Sequence, residues 1–373
     1  MIKPSLGVAL IGTGRVAYQF DFSPAPDNHA EAISACVHTH IVAGVNRGAE
    51  KLAAFGERFG VSDDALFHDY REMLDTAKPE LVIVATHPEL HCEMVRECAA
   101  APSVRAIICE KPMALTVDEC DHMIAACQGE QVALQINHNR RWHPEWELAK
   151  KLLADGAIGE LNHIYCYMDG GKPDPSWRSE NEGPLLHDFT HYFDLMDLYG
   201  GPVSWLCGMA EQRWRPWAVE DMTGALVKFV GGATGSIYGA ELSVYGDNGF
   251  ELRGRTGVIR MLGEQVHLWQ SEQGMYEPDS GFQWSELREQ EIARPERAST
   301  YVRALDELIA HLDDAGDLRS DGEVGRRSLE MVSAVYESQL DGNRPVSFPV
   351  SRRDNLVHAL RATGQYFEKT EEE

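Results

Sequence analysis

The sequence has no long apolar run and no recognisable leader, and both absences bear on where the protein works. No stretch approaches the roughly 20 apolar residues that a membrane-spanning helix needs. The first five residues, Met-Ile-Lys-Pro-Ser, lead into a strand-like segment without the basic, apolar and small-residue regions of a secretory signal. We therefore expect a cytoplasmic protein without a membrane segment.

Cysteine pairs are also missing. The sequence contains eight cysteines, but it has no Cys-x-x-Cys pair and no Cys/His spacing typical of zinc. Several cysteines stand among Ala, Ile and Leu, as small core residues do in a reducing compartment. The sequence therefore predicts neither a disulfide framework nor a metal centre.

Positive charge is scarce. Lys and Arg number 34 against 59 Asp and Glu, which gives a formal net charge of -25 at pH 7. A surface of that sign repels nucleic-acid phosphates and anionic lipid, so we expect neither nucleic acid nor a membrane among the partners. The hydrophobic content of 43% is that of a globular protein, and 373 residues suffice for two domains with separate cores.

The first apolar run, residues 6–11, enters a glycine-rich turn that predicts dinucleotide binding. The turn reads Gly12-Thr13-Gly14-Arg15-Val16-Ala17, the Gly-x-Gly-x-x-Ala form of the dinucleotide fingerprint. Gly12 permits the tight turn, Gly14 lets a pyrophosphate approach the backbone, and Ala17 allows close helix packing. The alternative is a plain strand-to-helix turn. The predicted cofactor contacts here are Gly12, Thr13, Gly14, Arg15 and Val16.

The second strand-like run, residues 41–45, ends in Asn46 and Arg47. A site that prefers NAD normally carries Asp or Glu at this strand end, where the carboxylate bonds the ribose hydroxyls. An amide removes the repulsion toward a 2′-phosphate, and Arg47 could pair with that phosphate, so NADP is permitted and mildly favoured. Arg47 could equally stack on the adenine of NAD, and the sequence leaves both roles open.

Two further apolar runs, residues 81–85 and 104–109, end in polar residues that we predict to face the cofactor. The ligand crevice of an open α/β sheet lies outside the carboxyl ends of its strands, so polar groups there are aimed at a ligand. The first run leads into Thr-His-Pro-Glu-Leu-His at 86–91 and the second into Glu-Lys-Pro at 110–112. The predicted cofactor contacts at these ends are Thr86, His87, His91, Glu110 and Lys111.

Lys111 is the first catalytic candidate, because it carries a cation at a strand end. The alternative is that Glu110 and Lys111 form a solvated strand end, since single charged residues are usually on the surface. His91 opens a predicted helix over residues 91–100, and a capping or packing role is the alternative for this histidine.

The order of elements predicts an α/β first domain and an α+β second domain. Strands that alternate with helices up to residue 136 specify a doubly wound parallel sheet of the Rossmann type. A polar cluster at residues 137–144 follows the last of these strands. Helices are few between residues 200 and 290, which favours an open, largely antiparallel or mixed sheet. The strand-like runs there and just before are residues 161–168, 203–209, 224–230, 234–238 and 257–261.

We accordingly divide the chain into three contiguous parts. Residues 1–138 form the dinucleotide-binding domain, and residues 139–350 form a domain for substrate binding and oligomerisation. Residues 351–373 form a final helix, expected over 353–367, and an acidic tail.

One helix of the second domain carries a dense set of polar side chains. The pattern over residues 183–195 is amphipathic, and His187 and His191 are four residues apart and therefore share a helical face. Two such histidines could bind zinc, but no third ligand has a convincing spacing. We therefore predict no metal site.

Four motifs, in this order and spacing, resemble those of the Gfo/Idh/MocA family of NAD(P)-dependent oxidoreductases. They are the glycine turn at 12–17, Ala-Thr-His-Pro-Glu-Leu-His at 85–91, Cys-Glu-Lys-Pro at 109–112 and Gly-Pro-Leu-Leu-His-Asp-Phe-Thr-His at 183–191. The likeness runs from residue 6 to residue 349 and includes Asn-Arg-Arg at 139–141. It implies an NAD(P)-binding Rossmann domain followed by a substrate domain.

The resemblance also implies roles for individual residues. The Lys of the family's Glu-Lys-Pro is Lys111 here, and the His of its Asp-x-x-x-His helix motif is His191; in the family these two flank the reacting carbon beside the nicotinamide. The family's Asp falls on His187, with Asp188 next to it. His187 could bond the substrate or relay a proton, but it lacks a fixed negative charge, and a packing histidine is the alternative.

A polar pocket with an aromatic wall follows from these assignments and suits a sugar or cyclitol. The predicted substrate contacts are Lys111, Asn139, Arg141, Trp177, Arg178, His187, Asp188 and His191.

The residue types suit hydride transfer to or from a secondary alcohol. Histidine, with an unperturbed pKa of about 6.5, exchanges the hydroxyl proton near neutrality, and a lysine ammonium stabilises a developing alkoxide. The leading interpretation is an NAD(P)-dependent dehydrogenase or reductase acting on one secondary hydroxyl or keto group of a polyhydroxylated substrate.

Two alternatives stay open. One is the same fold using transient oxidation for elimination or glycoside cleavage, and the other is a non-catalytic nucleotide-sensing regulator. We expect a homodimer or homotetramer, with the open face of the second sheet as the contact surface, as in relatives.

Overall fold

Apolar runs form the strands of two sheets, and amphipathic segments form the helices around them. The structure, a computed structural model, describes residues 5–19, 26–170, 182–241, 243–271, 285–314 and 316–367. Its strands, in chain order, are β1 (Leu6–Ile11), β2 (Thr39–Val45), β3 (Leu66–Phe67), β4 (Leu81–Val84), β5 (Ala106–Cys109), β6 (Ala133–Ile136), β7 (Leu161–Asp169), β8 (Val203–Glu211), β9 (Met222–Phe229), β10 (Thr234–Ala240), β11 (Asp247–Gly254), β12 (Gly257–Leu262), β13 (Gln265–Ser271), β14 (Leu287–Gln290) and β15 (Val346–Ser347).

The helices differ in length and type. The α-helices, in chain order, are α1 (His29–Ala35), α2 (Ala49–Phe59), α3 (Tyr70–Ala77), α4 (His91–Ala99), α5 (Val117–Gly129), α6 (Pro144–Ala154), α7 (Thr190–Gly200), α8 (Thr300–Leu312), α9 (Gly322–Leu340) and α10 (Leu356–Ala362). Short 3₁₀ turns span Asp63–Ala65, Pro88–Leu90 and Asn139–Trp142, and π-helical turns span Arg15–Gln19 and Leu185–Phe189. Within the described ranges, no helix combines the length and apolar character needed to cross a bilayer.

Strands β1 to β6 form a parallel sheet in the order β3-β2-β1-β4-β5-β6. This is the Rossmann order, and it confirms the first half of the predicted fold class. Every residue of β1, β4 and β5 is buried, as is typical of a parallel sheet covered on both faces. Because the strands are parallel, the residues that follow them all lie at one edge of the sheet.

The core of this sheet is completed by a helix from much later in the chain. Helix α8 buries Tyr301, Leu305 and Leu308 in the same cluster as Leu10 and Ile108 of the sheet. Residues 297–329 therefore belong with residues 1–143 in one compact unit, and residues 144–296 and 330–373 form the other. The division drawn from the sequence kept residues 139–350 together, because amphipathic periodicity shows that a helix buries one face but not which sheet receives it.

The second unit contains a nine-stranded sheet in the order β14-β13-β12-β11-β7-β10-β9-β8-β15. All its strand pairs are antiparallel except β7 with β10, which confirms the predicted mixed, largely antiparallel sheet. The five predicted runs correspond to β7, β8, β9, β10 and β12. Strands β11, β13, β14 and β15 were not predicted.

Strand β11 illustrates why some strands escaped prediction. Phe250 and Leu252 are buried, but the charged residues Glu251 and Arg253 alternate with them. Glu251 pairs with Arg260 on β12 at 3.0 Å. The cross-strand charge pair stabilises a segment whose composition reads as a polar loop.

Helix ends follow local capping chemistry. A capping box begins α5: the Thr116 hydroxyl accepts the Glu119 N–H, and the Glu119 carboxylate accepts the Thr116 N–H, both at 3.1 Å. The last helix, α10, is shorter than the predicted 353–367, because Asn355 caps its start and Gly364 has φ +75° just after its end.

Candidate active site

The glycine turn after β1 has the geometry that close approach of a phosphate requires. Gly12 has φ +93°, and a Cβ there would lie 2.4 Å from the carbonyl oxygen of Ala85, so only glycine fits. A Cβ on Gly14 would meet no atom within 4 Å, so the backbone borders open space. Thr13 is fully buried, and its hydroxyl has no hydrogen-bond partner among the described residues. An unsatisfied donor beside open backbone fits a pyrophosphate.

Asn46 and Arg47 lie at the same edge of the sheet, after β2. The Asn46 side chain accepts the Gly48 N–H at 2.8 Å and so closes the turn into α2. Arg47 is exposed to solvent. Both residues lie at the strand end where the sequence placed them. The hydrogen bond from the Gly48 N–H gives the Asn46 side chain a structural role as well.

His91 lies fully buried beneath the loops that follow β4 and β5. Its Nε2 is 3.1 Å from the Thr86 carbonyl oxygen, and its Nδ1 is 3.1 Å from the Pro112 carbonyl oxygen. Burial lowers the pKa of His91, which favours the neutral ring, and a neutral ring has one N–H and donates to one of these carbonyls at a time. These two contacts are those expected of a packing histidine, the alternative role named for His91. His87 immediately precedes the 3₁₀ turn Pro88–Leu90.

Glu110 is a buried carboxylate rather than part of a solvated strand end. Its Oε1 accepts from His29 Nε2 at 2.8 Å and from Asn137 Nδ2 at 2.6 Å, and its Oε2 accepts the Lys111 N–H at 3.2 Å. His29 is held in turn by the ring of Tyr301, which packs edge to face at 4.9 Å. Burial raises the pKa of Glu110, but the His29 hydrogen bond and charge, Asn137 and Lys111 outweigh burial and hold it below its ordinary value.

The other predicted residues of this unit follow β5 and β6. Lys111 is half-buried and precedes Pro112 through a cis peptide bond. Asn139 is half-buried and begins the 3₁₀ turn after β6. Arg141 is buried, and its Nη1 donates to the carbonyl of Arg319 at 3.0 Å, so at least part of this guanidinium serves the fold.

In the second unit, the predicted histidine helix presents one open stripe. The π-helical turn Leu185–Phe189 runs directly into α7. Between residues 182 and 196, His187, Asp188 and His191 are half-buried and every other residue is buried. The opposite face is fixed closely on the sheet, since a Cβ at Gly239 would lie 1.7 Å from the Phe189 ring. A π-helical turn at this point is typical of functional sites.

A carboxylate that sequence reasoning did not single out stands next to this stripe. Glu182 Oε1 lies 2.7 Å from His187 Nδ1, and Glu182 is buried. The other ring nitrogen, Nε2, lies 3.8 Å from Asp188 Oδ1, which is beyond hydrogen-bond distance.

Glu220 supports the start of the same helix from below. Its Oε1 accepts the Leu185 N–H and the Tyr336 hydroxyl, each at 2.9 Å, and a Cβ at Gly183 would lie 2.2 Å from it. Burial raises the pKa of Glu220 to about 7, although these two donors oppose the shift and the charge of Glu241 adds to it.

Two predicted substrate residues, Trp177 and Arg178, lie outside the described residues. Within the described ranges, no group of three His, Cys, Asp or Glu side chains is placed to hold a metal ion.

Three residues at these sites were missed, and the reasons differ. His29 bonds Glu110 across 81 residues of sequence, and Glu182 precedes His187 by five residues, which is not a helical neighbour spacing. Neither pairing has a local signal. Glu220 belongs to none of the four motifs, so the sequence assigned it no role.

Comparison with known families matches both halves of the chain. Residues 6–138 match the Gfo/Idh/MocA oxidoreductase family, NAD-binding Rossmann fold, and residues 146–260 match the Gfo/Idh/MocA C-terminal domain. Together the two matches cover more than half of the sequence.

Among curated relatives, the D-apiose dehydrogenase of Paraburkholderia graminis is 26% identical over 330 residues, covering 84% of this chain and 85% of its own. The levoglucosan dehydrogenase of Pseudarthrobacter phenanthrenivorans is 29% identical over 292 residues, covering 68% and 73%. Among solved structures, the WlbA dehydrogenase from Bordetella pertussis, in complex with NADH and UDP-GlcNAcA, has a TM-score of 0.75 at 22% identity, covering 93% of this chain and 100% of its own. The last likeness supports the fold alone.

The raised pKa of Glu220 predicts a specific dependence of stability on pH. Because the folded chain holds this proton more tightly than the unfolded chain, its contribution to stability is present below pH 4.5 and is lost as pH rises through about 7. Glu220→Gln keeps an oxygen for Leu185 and Tyr336 but cannot ionise. Relative to wild type, the variant should gain on the order of 2 kcal/mol in the free energy of unfolding between about pH 5 and pH 8, measured by urea denaturation.

Glu264→Gln serves as the control, because Glu264 is exposed in the turn between β12 and β13. It should leave the pH dependence unchanged. The same pH dependence in wild type and Glu220→Gln would show that Glu220 does not titrate as described.

Proposed function

The chain belongs to the Gfo/Idh/MocA family of NAD(P)-dependent oxidoreductases, and from this premise we propose that it transfers a hydride between a nicotinamide and a secondary hydroxyl or keto group of a sugar, cyclitol or related polyol. The substrate class is supported by the names of the two curated relatives, which are dehydrogenases of a sugar and of an anhydrosugar.

The position of Lys111 carries the proposal. Lys111 follows β5, and only β4 separates β5 from β1, whose end carries the glycine turn. The Lys111 N–H is held by the buried Glu110 carboxylate. A lysine fixed at this edge shares the ligand crevice of a doubly wound sheet with the open backbone at Gly14.

The residues of this chain then have distinct tasks. When bound, the nicotinamide supplies the hydride acceptor or donor. The ammonium of Lys111 orients the substrate hydroxyl and stabilises the charge that develops on its oxygen. A histidine of the open stripe, His187 or His191, takes the hydroxyl proton during oxidation and returns it during reduction.

The remaining predicted residues are proposed as substrate contacts. They are Asn139, Arg141, Trp177, Arg178 and Asp188. For the cofactor, the amide of Asn46 and the exposed guanidinium of Arg47 favour NADP mildly over NAD.

We also propose a homodimer or homotetramer in the cytoplasm. The open face of the second sheet carries exposed apolar side chains: Leu226 of β9 is 57% exposed, and Trp205 of β8 and Tyr238 of β10 are 36% and 38% exposed. The strand registers place all three on one face. Exposed apolar side chains grouped on one face favour a protein interface there.

A substrate panel tests the activity. Wild type should oxidise at least one member of a set of aldoses, inositols and sugar acids with NAD or NADP, measured by the absorbance of the reduced nicotinamide. Lys111→Ala should lower kcat by at least about 100-fold, because the alkoxide charge is no longer stabilised. It should leave the cofactor dissociation constant nearly unchanged although Lys111 is a predicted cofactor contact, because the pyrophosphate is bound at the glycine turn. Lys150→Ala, on the exposed side of α6, is the matched control.

Unchanged turnover in Lys111→Ala would contradict the assignment of Lys111. Conversion of a substrate without net reduction of the nucleotide would favour the alternative of transient oxidation, since that chemistry regenerates the cofactor in each cycle.

Cofactor preference is tested at the end of β2. Asn46→Asp keeps an oxygen for the Gly48 N–H and adds a charge that repels a 2′-phosphate, so the ratio of kcat/KM for NADP to that for NAD should fall at least about tenfold. Arg47→Ala separates the two roles of Arg47: pairing with the phosphate predicts a loss with NADP alone, whereas stacking predicts similar losses with both. A constant ratio in Asn46→Asp would overturn the discrimination argument.

The contact face is tested by Leu226→Glu. A buried carboxylate at the centre of an apolar interface is costly, so the variant should dissociate at micromolar concentration while retaining its fold, measured by sedimentation and circular dichroism. Val37→Glu, at a residue that is 85% exposed in the first unit, should keep the wild-type mass. A monomeric wild type at the same concentration would remove the proposal.

A further inference from the structure

The chain that leaves β2 is bonded on both sides at the carboxyl edge of the first sheet. The Val45 carbonyl accepts the Gly12 N–H of the glycine turn at 2.9 Å. One residue later, the Asn46 N–H donates to the Phe67 carbonyl at the end of β3, at 3.1 Å. Because β2 and β3 are parallel and end side by side, Asn46 and His68 both follow a strand at the same edge. Asn46 therefore lies between the glycine turn and His68.

The ring of His68 is oriented by the main chain of that segment. Its Nδ1 is 2.8 Å from the Asn46 carbonyl oxygen, which belongs to the peptide that leads into Arg47. A carbonyl oxygen only accepts a hydrogen bond, so Nδ1 carries hydrogen, and Nε2 accepts in the neutral ring and donates in the imidazolium. Because Nδ1 is engaged and His68 is exposed, Nε2 is the nitrogen that a ligand beside Arg47 would meet.

The polar groups around this peptide offer hydrogen-bond donors. Asn46 Oδ1 accepts the Gly48 N–H at 2.8 Å, which leaves the amide nitrogen, a donor, for a ligand. Arg47 is an exposed cation. Asp69, the carboxylate next to His68 in sequence, caps α3 by accepting two main-chain N–H groups of its first turn, at 2.7 and 3.4 Å. This set of groups suits a phosphate, which only accepts hydrogen bonds and carries negative charge.

We propose that His68 is a specificity-determining residue for the cofactor, and that as an imidazolium it binds the 2′-phosphate of NADP together with Arg47. This role rests on the proposed function, in which the enzyme uses a nicotinamide dinucleotide and favours NADP. Arg47 taken by itself leaves phosphate pairing and adenine stacking open, whereas the imidazolium adds a second cation from the neighbouring strand. NAD has no phosphate at this position and gains nothing from that charge.

Binding of the phosphate and protonation of the ring are linked. A neighbouring anion favours the charged form of an imidazole, so the ring takes up a proton from solvent as the nucleotide binds. The charged side chains on the segments around His68 are Arg47 after β2, Glu50 in the first turn of α2, and Asp69 and Arg71 at the start of α3; the last pairs with two carboxylates of α4. Proton uptake therefore distinguishes a ligand contact through Nε2 from a structural bond through Nδ1 alone.

Isothermal titration calorimetry of the full-length protein tests the contact with two fragments of the cofactor. Adenosine 2′,5′-bisphosphate and 5′-AMP differ only in the 2′-phosphate, and wild type should bind the bisphosphate more tightly. His68→Asn keeps a donor in the place of Nδ1 for the Asn46 carbonyl but has no second ring nitrogen. It should weaken binding of the bisphosphate about fivefold or more and leave binding of 5′-AMP unchanged.

The same titrations report proton uptake when they are repeated in two buffers of different ionisation enthalpy. At about pH 7.5 a phosphate monoester is already largely a dianion, so the ligand itself contributes little. Wild type should take up protons with the bisphosphate, and His68→Asn should not. His68→Lys carries a permanent charge and should recover part of the affinity for the bisphosphate without proton uptake.

His38→Asn is the matched control, because His38 is an exposed histidine just before β2, at the opposite end of the same strand. It should bind both fragments as wild type does. Unchanged affinity of His68→Asn for the bisphosphate, an equal loss with 5′-AMP, or binding by wild type without proton uptake would overturn the role of His68.

Two further outcomes separate this role from the proposed function. Equal affinity of wild type for the two fragments would overturn it together with the preference for NADP, and would leave oxidation of a polyol with NAD intact. If the substrate panel yields no activity, the proposed reaction fails. The fragment titrations then still decide the role of His68, because they need no polyol.

Discussion

One buried carboxylate holds the carboxyl edge of the first sheet together. Glu110 accepts hydrogen bonds from His29 at the start of α1, from Asn137 after β6 and from the main chain of Lys111. An ion can be buried here because these donors replace water and the Lys111 charge is adjacent. The backbone that carries Lys111 is thereby fixed by segments spread over more than a hundred residues, and loss of one partner would leave an uncompensated charge in the interior.

The second unit also contains a buried carboxylate that holds backbone in place, Glu220, but its pKa is shifted in the opposite direction from that of Glu110. Glu220 accepts from the Leu185 N–H, its own N–H and the Tyr336 hydroxyl, but burial outweighs these donors and Glu241 adds repulsion, so the pKa rises. At Glu110, the hydrogen bond and charge of His29, the Asn137 amide and the Lys111 charge together outweigh burial, so the pKa falls. The same type of side chain therefore favours its ionised form beside Lys111, whereas under the histidine helix its pKa of about 7 lets it change charge near neutrality.

Local chemistry made much of this predictable. The turn at Gly12 and Gly14, the strand ends at Asn46 and Lys111, and the cap at Thr116 depend on residues close in sequence, whose types are dictated by backbone conformation. The pairings of ionisable groups were harder to predict, for two different reasons. His29 and Glu110 are 81 residues apart and meet only in the folded chain. Glu182 and His187 are close in sequence, but a separation of five residues is not the spacing of neighbours on a helix face, so the pattern does not pair them.

The same distinction applies to the fold. The continuous apolar runs of β1, β4 and β5 predict buried strands. Strand β11 was not predicted because the charged residues Glu251 and Arg253 interrupt its apolar residues, and the pairing of Glu251 with β12 cannot be seen in the sequence of β11 alone. The sequence likewise did not show which sheet α8 packs on, because Tyr301, Leu305 and Leu308 could be buried against any apolar surface.

The packing of α8 on the first sheet has a consequence for biosynthesis. A ribosome releases the chain from its amino terminus, so all six strands of the first sheet emerge long before residues 300–312, which complete the core of that sheet. Until then, the cluster that contains Val8, Leu10 and Ile108 lacks the side chains of α8, and eight of the nine strands of the second sheet, β7 to β14, are synthesised in the interval. The two units therefore cannot mature strictly one after the other, and the nascent chain passes through a stage at which chaperones would find an exposed apolar surface to bind.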